Sequence, residues 1–303
     1  MSIRNVASVE EVVDSLASRD YLADRGLATA VYLALRLARP LLLEGEAGVG
    51  KTELSKVLAD WSGGDFIRLQ CYEGIDSSQA VYEWDYTRQL LHLRATEAAG
   101  SVAKVSTAQL EDEIYSERFL VKRPLLTALS AISEPPPVLL IDEVDRADDE
   151  FEAFLLEILS DYSVTVPELE TFSASVKPIV VITSNRTRDV HDALKRRCLY
   201  HWIEHPDVDR EVEILRVRAP HVSPSLAHEV ALMAAKIRDM GLYKPPGVAE
   251  TLDWAEALVL IGVDDLDEQA IDETIGALLK YREDQERFRA SGIEELLNSI
   301  HQN

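Results

Sequence analysis

The spacing of apolar positions changes several times along the chain. In residues 8–38, Val12, Leu16 and Ala17 recur at helical intervals and predict helix, which Pro40 ends. Leu41–Leu43 is a short apolar run with strand character, residues 45–50 are glycine-rich, and residues 51–61 again have helical spacing. Phe66–Tyr72 alternates in part and predicts a second strand. Val138–Ile141, entered through Pro135, Pro136 and Pro137, predicts a third, and Pro178–Thr183 a fourth. Apolar runs of this kind, bounded by turns, suit parallel strands covered by helices on both faces. A helix over Glu150–Tyr162 lies between the last two. The pattern predicts a doubly wound parallel α/β sheet.

Beyond residue 206 the strand signals cease. Residues 209–218, 223–240, 248–261 and 268–289 read as helices, punctuated by Pro245-Pro246, Gly247 and Gly262. A small all-helical domain is expected over 206–303, following an α/β domain over 1–205. Two segments look like additions to the sheet. Residues 80–93 (AVYEWDYTRQLLHL) are rich in aromatic and β-branched residues and predict a hairpin. Residues 163–175 place strand formers on both sides of a turn-like centre.

Composition narrows the classes. The 303 residues leave room for about two domains, and 47% apolar content supports a sizeable core. The 54 acids against 31 basic side chains leave a net charge of −23, which disfavours direct nucleic-acid binding. Two cysteines, Cys71 and Cys198, outside any CxxC pair, suggest reduced buried thiols of a cytoplasmic protein. No signal peptide is expected from the N-terminal residues. No uncharged apolar run reaches the roughly 18 residues of a membrane helix, so membrane insertion is not expected.

The candidate chemistry concentrates at strand ends. Gly45-Glu46-Ala47-Gly48-Val49-Gly50-Lys51-Thr52 fits G-x-x-x-x-G-K-[ST], between an apolar run and a helix. Glycines allow the backbone N–H groups to turn toward a phosphate, and the helix N-terminus adds positive potential. Lys51 supplies a full charge to the β- and γ-phosphates, and Thr52 a hydroxyl to Mg²⁺; Glu53 opens the helix beside them. The apolar strand Val138–Ile141 ends in Asp142, placed to hold Mg²⁺ through water, and Glu143, placed to polarise the attacking water. Asn185, after the fourth strand, suits the γ-phosphate and the same water. Arg196 and Arg197 follow a short helical stretch without a local acid for both charges. His201 and His205 lie in an extended segment, which argues against a shared metal. ATP and Mg²⁺ are therefore the expected cofactors. A P-loop small-molecule kinase, a nucleic-acid-dependent motor and a nucleotide-switched scaffold remain as alternatives.

The order of these motifs resembles the AAA+ ATPases, most closely the MoxR-type group, from about residue 20 to 290. GEAGVGKT is similar to that group's Walker A loop, VLLIDEVDRA to its Walker B segment, TSNRTRD to its sensor-1 stretch, and ALKRRCLYHWIEHP to its arginine-finger region. The YEWDY wording resembles the CoxD-like branch associated with carbon monoxide dehydrogenase. The resemblance implies a homo-oligomeric ring, a hexamer, that remodels or matures a protein client. It also implies a von Willebrand A domain adaptor, and a trans-acting finger at Arg196 or Arg197. Residues 80–93 resemble its helix-2 insert, which residues 117–129 (ERFLVKRPLLTAL) rejoin, and residues 163–175 its hairpin before sensor 1. One departure stands out: Gly247 occupies the place of a lid arginine, leaving Lys244 as a substitute or the lid to read nucleotide by other means.

Overall fold

The computed structural model describes residues 3–98 and 107–301. In chain order the elements are α1 (Val9–Ala17), α2 (Arg25–Leu37), β1 (Leu41–Gly45), α3 (Lys51–Ser62), β2 (Phe66–Gln70), α4 (Ser77–Ala80), β3 (Tyr82–Trp84), α5 (Tyr86–Ala98) and α6 (Thr107–Ile114). Then come β4 (Leu120–Lys122), α7 (Pro124–Leu129), β5 (Val138–Asp142), α8 (Asp149–Asp161), β6 (Ser163–Thr165), β7 (Thr171–Ser173), β8 (Ile179–Ser184), α9 (Asp192–Arg197) and β9 (Leu199–Ile203). The helices α10 (Val208–Arg218), α11 (Pro224–Arg238), α12 (Val248–Leu260), α13 (Glu268–Leu278), α14 (Arg282–Ala290) and α15 (Ile293–His301) complete the order. Contacts divide the chain into two units. One comprises Met1–Val12, Arg25–Leu43 and Ser55–His201, and the other Val13–Asp24, Glu44–Leu54 and Trp202–Asn303.

The first unit is built on a five-stranded parallel sheet in the order β2-β5-β8-β1-β9. Every residue of β5 and β8 is buried, as expected for strands covered on both faces. β5 pairs in parallel with β2 (Gln70 opposite Asp142) and with β8 (Ile141 opposite Ile182). Leu139, Ile141, Val180 and Ile182 join Leu125, Leu126, Leu155 and Ile158 in one core.

The segment 80–93 is not a hairpin. Only Tyr82–Trp84 is extended, and it pairs with the distant Leu120–Lys122, Trp84 opposite Leu120. Asp85 ends the strand by capping a helix: its Oδ1 accepts from Arg88 N at 2.9 Å. Gln89, buried on α5, donates to the Ile114 carbonyl at 2.6 Å and so ties α5 to the end of α6. Of the aromatic residues that suggested two strands, Trp84 packs inward and meets Tyr82 and Tyr115 edge to face, while Tyr86 stays exposed. Residues 163–175 form the antiparallel β6–β7 pair, Ser163 opposite Ser173.

Residues 8–38 are two helices rather than one. After α1, Asp20 adopts φ 58°, with Tyr21 N donating to the Leu16 carbonyl and Asp20 N to that of Ala17. This is the hydrogen-bond pattern of a left-handed helix stop.

The second unit has its core among α10 to α15, with Trp254 and Phe288 fully buried. Asp207, Ser223 and Asp267 cap α10, α11 and α13 with side-chain oxygens. The single helix expected over 268–289 is interrupted. Leu279 turns extended at φ −106°, ψ 116°, with its side chain buried, and α14 starts afresh. The helix α15 was not foreseen in the sequence. Among the described residues no helix is long and apolar enough to cross a membrane.

Candidate nucleotide site

In the first unit, the ends of three neighbouring strands bring an acid pair together with four polar partners. Asp142, the last residue of β5, is 3% exposed. Its Oδ2 accepts from Arg68 Nε at 3.0 Å and Nη2 at 2.6 Å, and its Oδ1 from the Thr183 hydroxyl at 2.6 Å. Arg68 and Gln70 stand two apart on β2 and so share a face. Thr183 and Ser184 are the hydroxyl residues that end the otherwise apolar β8.

Glu143 adopts φ 55°, ψ 51°, a conformation that non-glycine residues adopt at some energetic cost. The Thr183 hydroxyl accepts its backbone N–H at 2.9 Å. The left-handed turn aims the carboxylate sideways along the strand ends. There Oε1 accepts from Asn185 Nδ2 at 3.1 Å, and Oε2 from Gln70 Nε2 at 3.1 Å and Arg146 Nε at 2.9 Å. Asn185 is held from below by buried Asp145, which accepts its N–H at 3.2 Å and both the N–H and hydroxyl of Thr187. Thus Asp142, Glu143 and Asn185 come together as the sequence suggests. Arg68, Gln70, Thr183, Asp145 and Arg146 were missed, the available signal being polar residues at the ends of otherwise apolar strands.

The glycine-rich loop belongs to the second unit. Gly48 has φ 79° and Gly50 φ 92°, which L side chains rarely adopt. Lys51 is 6% exposed, and its ammonium lies on the Gly45 and Glu46 carbonyls at 2.8 and 2.5 Å. Thr52 is half-buried, Glu53 pairs with Arg218 at 3.0 Å, and Glu46 with His205 at 3.0 Å. His201 lies in β9 and His205 beyond it, so no helical face joins them. Ala47 and Gly48 meet the start of α12: Ala249 N donates to the Gly48 carbonyl at 3.2 Å. A Cβ on Gly247 would stand 2.6 Å from the Ala47 carbonyl oxygen and 2.7 Å from Gly48 Cα, so only glycine fits. Val49 is buried, and burial pushes the Tyr21 phenol pKa well up, helped by Asp24 and Glu53; its hydroxyl donates to the Gly50 carbonyl at 3.4 Å.

The donor set suits a magnesium nucleotide. In the second unit, positive-φ glycines leave the loop amides free of side-chain bulk, the Lys51 ammonium rests on the loop, and Thr52 offers a hydroxyl oxygen; in the first unit, Asp142 and Glu143 offer carboxylate oxygens. The paired residues Arg196 and Arg197 end α9 in the first unit and are both exposed. Arg197 Nη1 reaches Ser160 Oγ, whereas no partner is found for the Arg196 side chain among the described residues. The Arg39 guanidinium donates to the carbonyls of both residues, fixing the end of the helix. Lys244 is exposed and lies over the Tyr281 ring, 5.9 Å from its centroid, while Asp284 accepts its backbone N–H at 3.0 Å.

Residues 40–198 match the family model of the AAA domain, dynein-related subfamily. No curated protein matches the chain. Among solved structures, an inferred ATPase from Cytophaga hutchinsonii is similar at 17% identity and TM-score 0.47, over 97% of this chain and 93% of that one. The RuvB Holliday junction branch migration motor of Thermotoga maritima is similar at 15% identity and TM-score 0.45, over 90% of this chain and 72% of that one.

Proposed function

We propose an ATPase that acts on another protein, because this chain belongs to the AAA domain family in its dynein-related subfamily. The observation that carries the reading is the joining of Glu143 to Asn185 and Gln70 at the ends of three adjacent strands. A carboxylate so held is oriented rather than freely solvated, which is what a general base requires.

The loop amides and Lys51 bind the β- and γ-phosphates, with residues 45–53 forming the cradle. Mg²⁺, when bound with ATP, supplies charge neutralisation across the β- and γ-phosphates; Thr52 and Asp142 are the residues that would hold it. Glu143 takes a proton from the water that attacks the γ-phosphorus, and Asn185 orients that water. The γ-phosphorus bond to the bridging oxygen breaks, leaving ADP and phosphate. Arg197 is engaged by Ser160 whereas Arg196 has no side-chain partner among the described residues, so Arg196 is the better candidate for stabilising charge in a neighbouring subunit.

The finer reading is a MoxR-type ring, a hexamer, of a cytoplasmic protein that matures a client together with a von Willebrand A domain adaptor. Its α/β part would extend to residue 205 and its helical lid from 206. Support comes from the motif order and from the −23 charge, which disfavours a nucleic-acid track.

The test is Glu143→Gln. Nucleotide affinity should persist while turnover falls by about 100-fold or more. A variant that hydrolyses ATP at the normal rate would remove Glu143 from the mechanism, and with it this reading.

A further inference from the structure

The geometry points to Arg68 as a positioning residue that competes with the magnesium ion for Asp142 and thereby couples metal arrival to the release of Glu143. This inference rests on the nucleotide reading above.

Three observations carry it. First, Arg68 places two N–H groups on one carboxylate oxygen, Asp142 Oδ2, while Oδ1 is taken by Thr183. The carboxylate is thus engaged at both oxygens by side chains of this chain. Second, the Arg68 side chain is 50% exposed and that of Asp142 only 4%. The acid cannot turn away to water, but the guanidinium can. Exchange of its partner for solvent is therefore cheap on the arginine side. Third, Arg68 Nη2 also donates to Gln70 Oε1, and Gln70 Nε2 donates to Glu143 Oε2. One guanidinium thus orients the amide that holds the candidate base.

Charge makes the two occupants exclusive. Asp142 and Glu143 are adjacent acids on one strand end, and a cation between them relieves their repulsion. Arg146 pairs with Glu143 and Arg68 with Asp142, and the Arg68 charge serves that purpose at Asp142 until a divalent ion arrives, after which its guanidinium would stand beside a second, stronger cation. The half-exposed side chain then swings to solvent. Gln70 loses the bond to its carbonyl oxygen that fixed its amide, and its share of the grip on Glu143 Oε2 weakens, leaving Arg146 on that oxygen.

The test uses the full chain and a fluorescent non-hydrolysable ATP analogue titrated with MgCl₂. In Arg68→Met the Mg²⁺ concentration for half-maximal tightening should fall about fivefold, the value expected for losing a charge-assisted pair at a half-exposed site. Affinity without metal should stay within about twofold of wild type, since the loop holds the phosphates. Arg68→Lys, which keeps the charge without the fork, should fall between. It also carries the test should the methionine variant fold poorly, as a melting curve would show. An unchanged or raised Mg²⁺ requirement in both variants overturns the inference alone, provided wild type shows metal-dependent tightening that Lys51→Ala abolishes. Absence of any metal-dependent tightening in wild type overturns the nucleotide reading and this inference together.

Discussion

Arg238 is the single side chain whose loss should damage the helical unit most. It ends α11 with its side chain 9% exposed and forms a two-pronged pair with Glu211 of α10, both bonds 2.6 Å; the Glu211 side chain is 0% exposed. The remaining donors reach the Pro246 carbonyl at 2.8 Å and the Thr251 hydroxyl at 3.1 Å. Thr251 in turn donates to the Gly247 carbonyl at 3.1 Å. One guanidinium therefore joins α10, α11, α12 and the turn that meets Gly48. Arg238→Met removes the cation and strands a carboxylate in a dry site, a change worth about 3–5 kcal/mol. Two unpaired acceptors, at Pro246 and Thr251, add roughly 1 kcal/mol each. Hydrogen exchange reads this without assuming that the chain unfolds in one step. Together these costs come to about 5–7 kcal/mol, so amides of α10 to α12 should lose about four to five orders of magnitude of protection, while those of β5 and β8 change little. Adding Glu211→Leu should restore most of the loss, since both charges are then gone. A single variant that loses less than about tenfold protection, or a double variant no better than the single, would show that the pair is not structurally important and refute this reasoning.

Three further outcomes test different parts of the structure. Gly247→Ala drives a methyl into the Ala47 carbonyl and Gly48 Cα. It should weaken nucleotide binding by about tenfold and lower stability by roughly 1–3 kcal/mol, measured by titration and melting; full affinity would mean that the loop does not depend on this contact. Burial pushes the Cys71 thiol up to about 12, with Asp142, Asp145, Glu152 and Glu143 adding to it. Burial does the same for Cys198, up to about 12, with Arg39 partly opposing it. Neither should react with a thiol reagent at pH 8 until denaturant is added. The folded state holds these protons more tightly than the unfolded one. Stability from both thiols is therefore complete below about pH 9 and falls by up to about 1.4 kcal/mol per pH unit per thiol toward pH 12. Chemical denaturation across that range, compared with the Cys→Ala variants, checks the sign.

Much of the sheet was legible because its signals are local. Val138–Ile141 and Pro178–Thr183 are too apolar for an exposed surface, and the structure buries them as β5 and β8. The insert was misread for a related reason. Aromatic and β-branched residues mark a pleated or packed surface equally well, and only the pairing of Trp84 with Leu120 shows which of them is strand. The break at Asp20 gave no glycine or proline to announce it. Aspartate accepted the left-handed conformation because the chain closes the helix with two backbone bonds there.

The sequence by itself determined the glycine-rich loop, the acids after an apolar strand and the helical character of the last third, because each depends on residues a few positions apart. Tertiary structure alone decided which polar groups meet. The order β2-β5-β8 brings Arg68 and Gln70 to Asp142 and Glu143, and Thr183 between them. Helix packing brings Arg238 to Glu211, and α12 to Gly48. Such pairings are set by strand order and helix packing summed over whole units, and no window of neighbouring residues contains that sum.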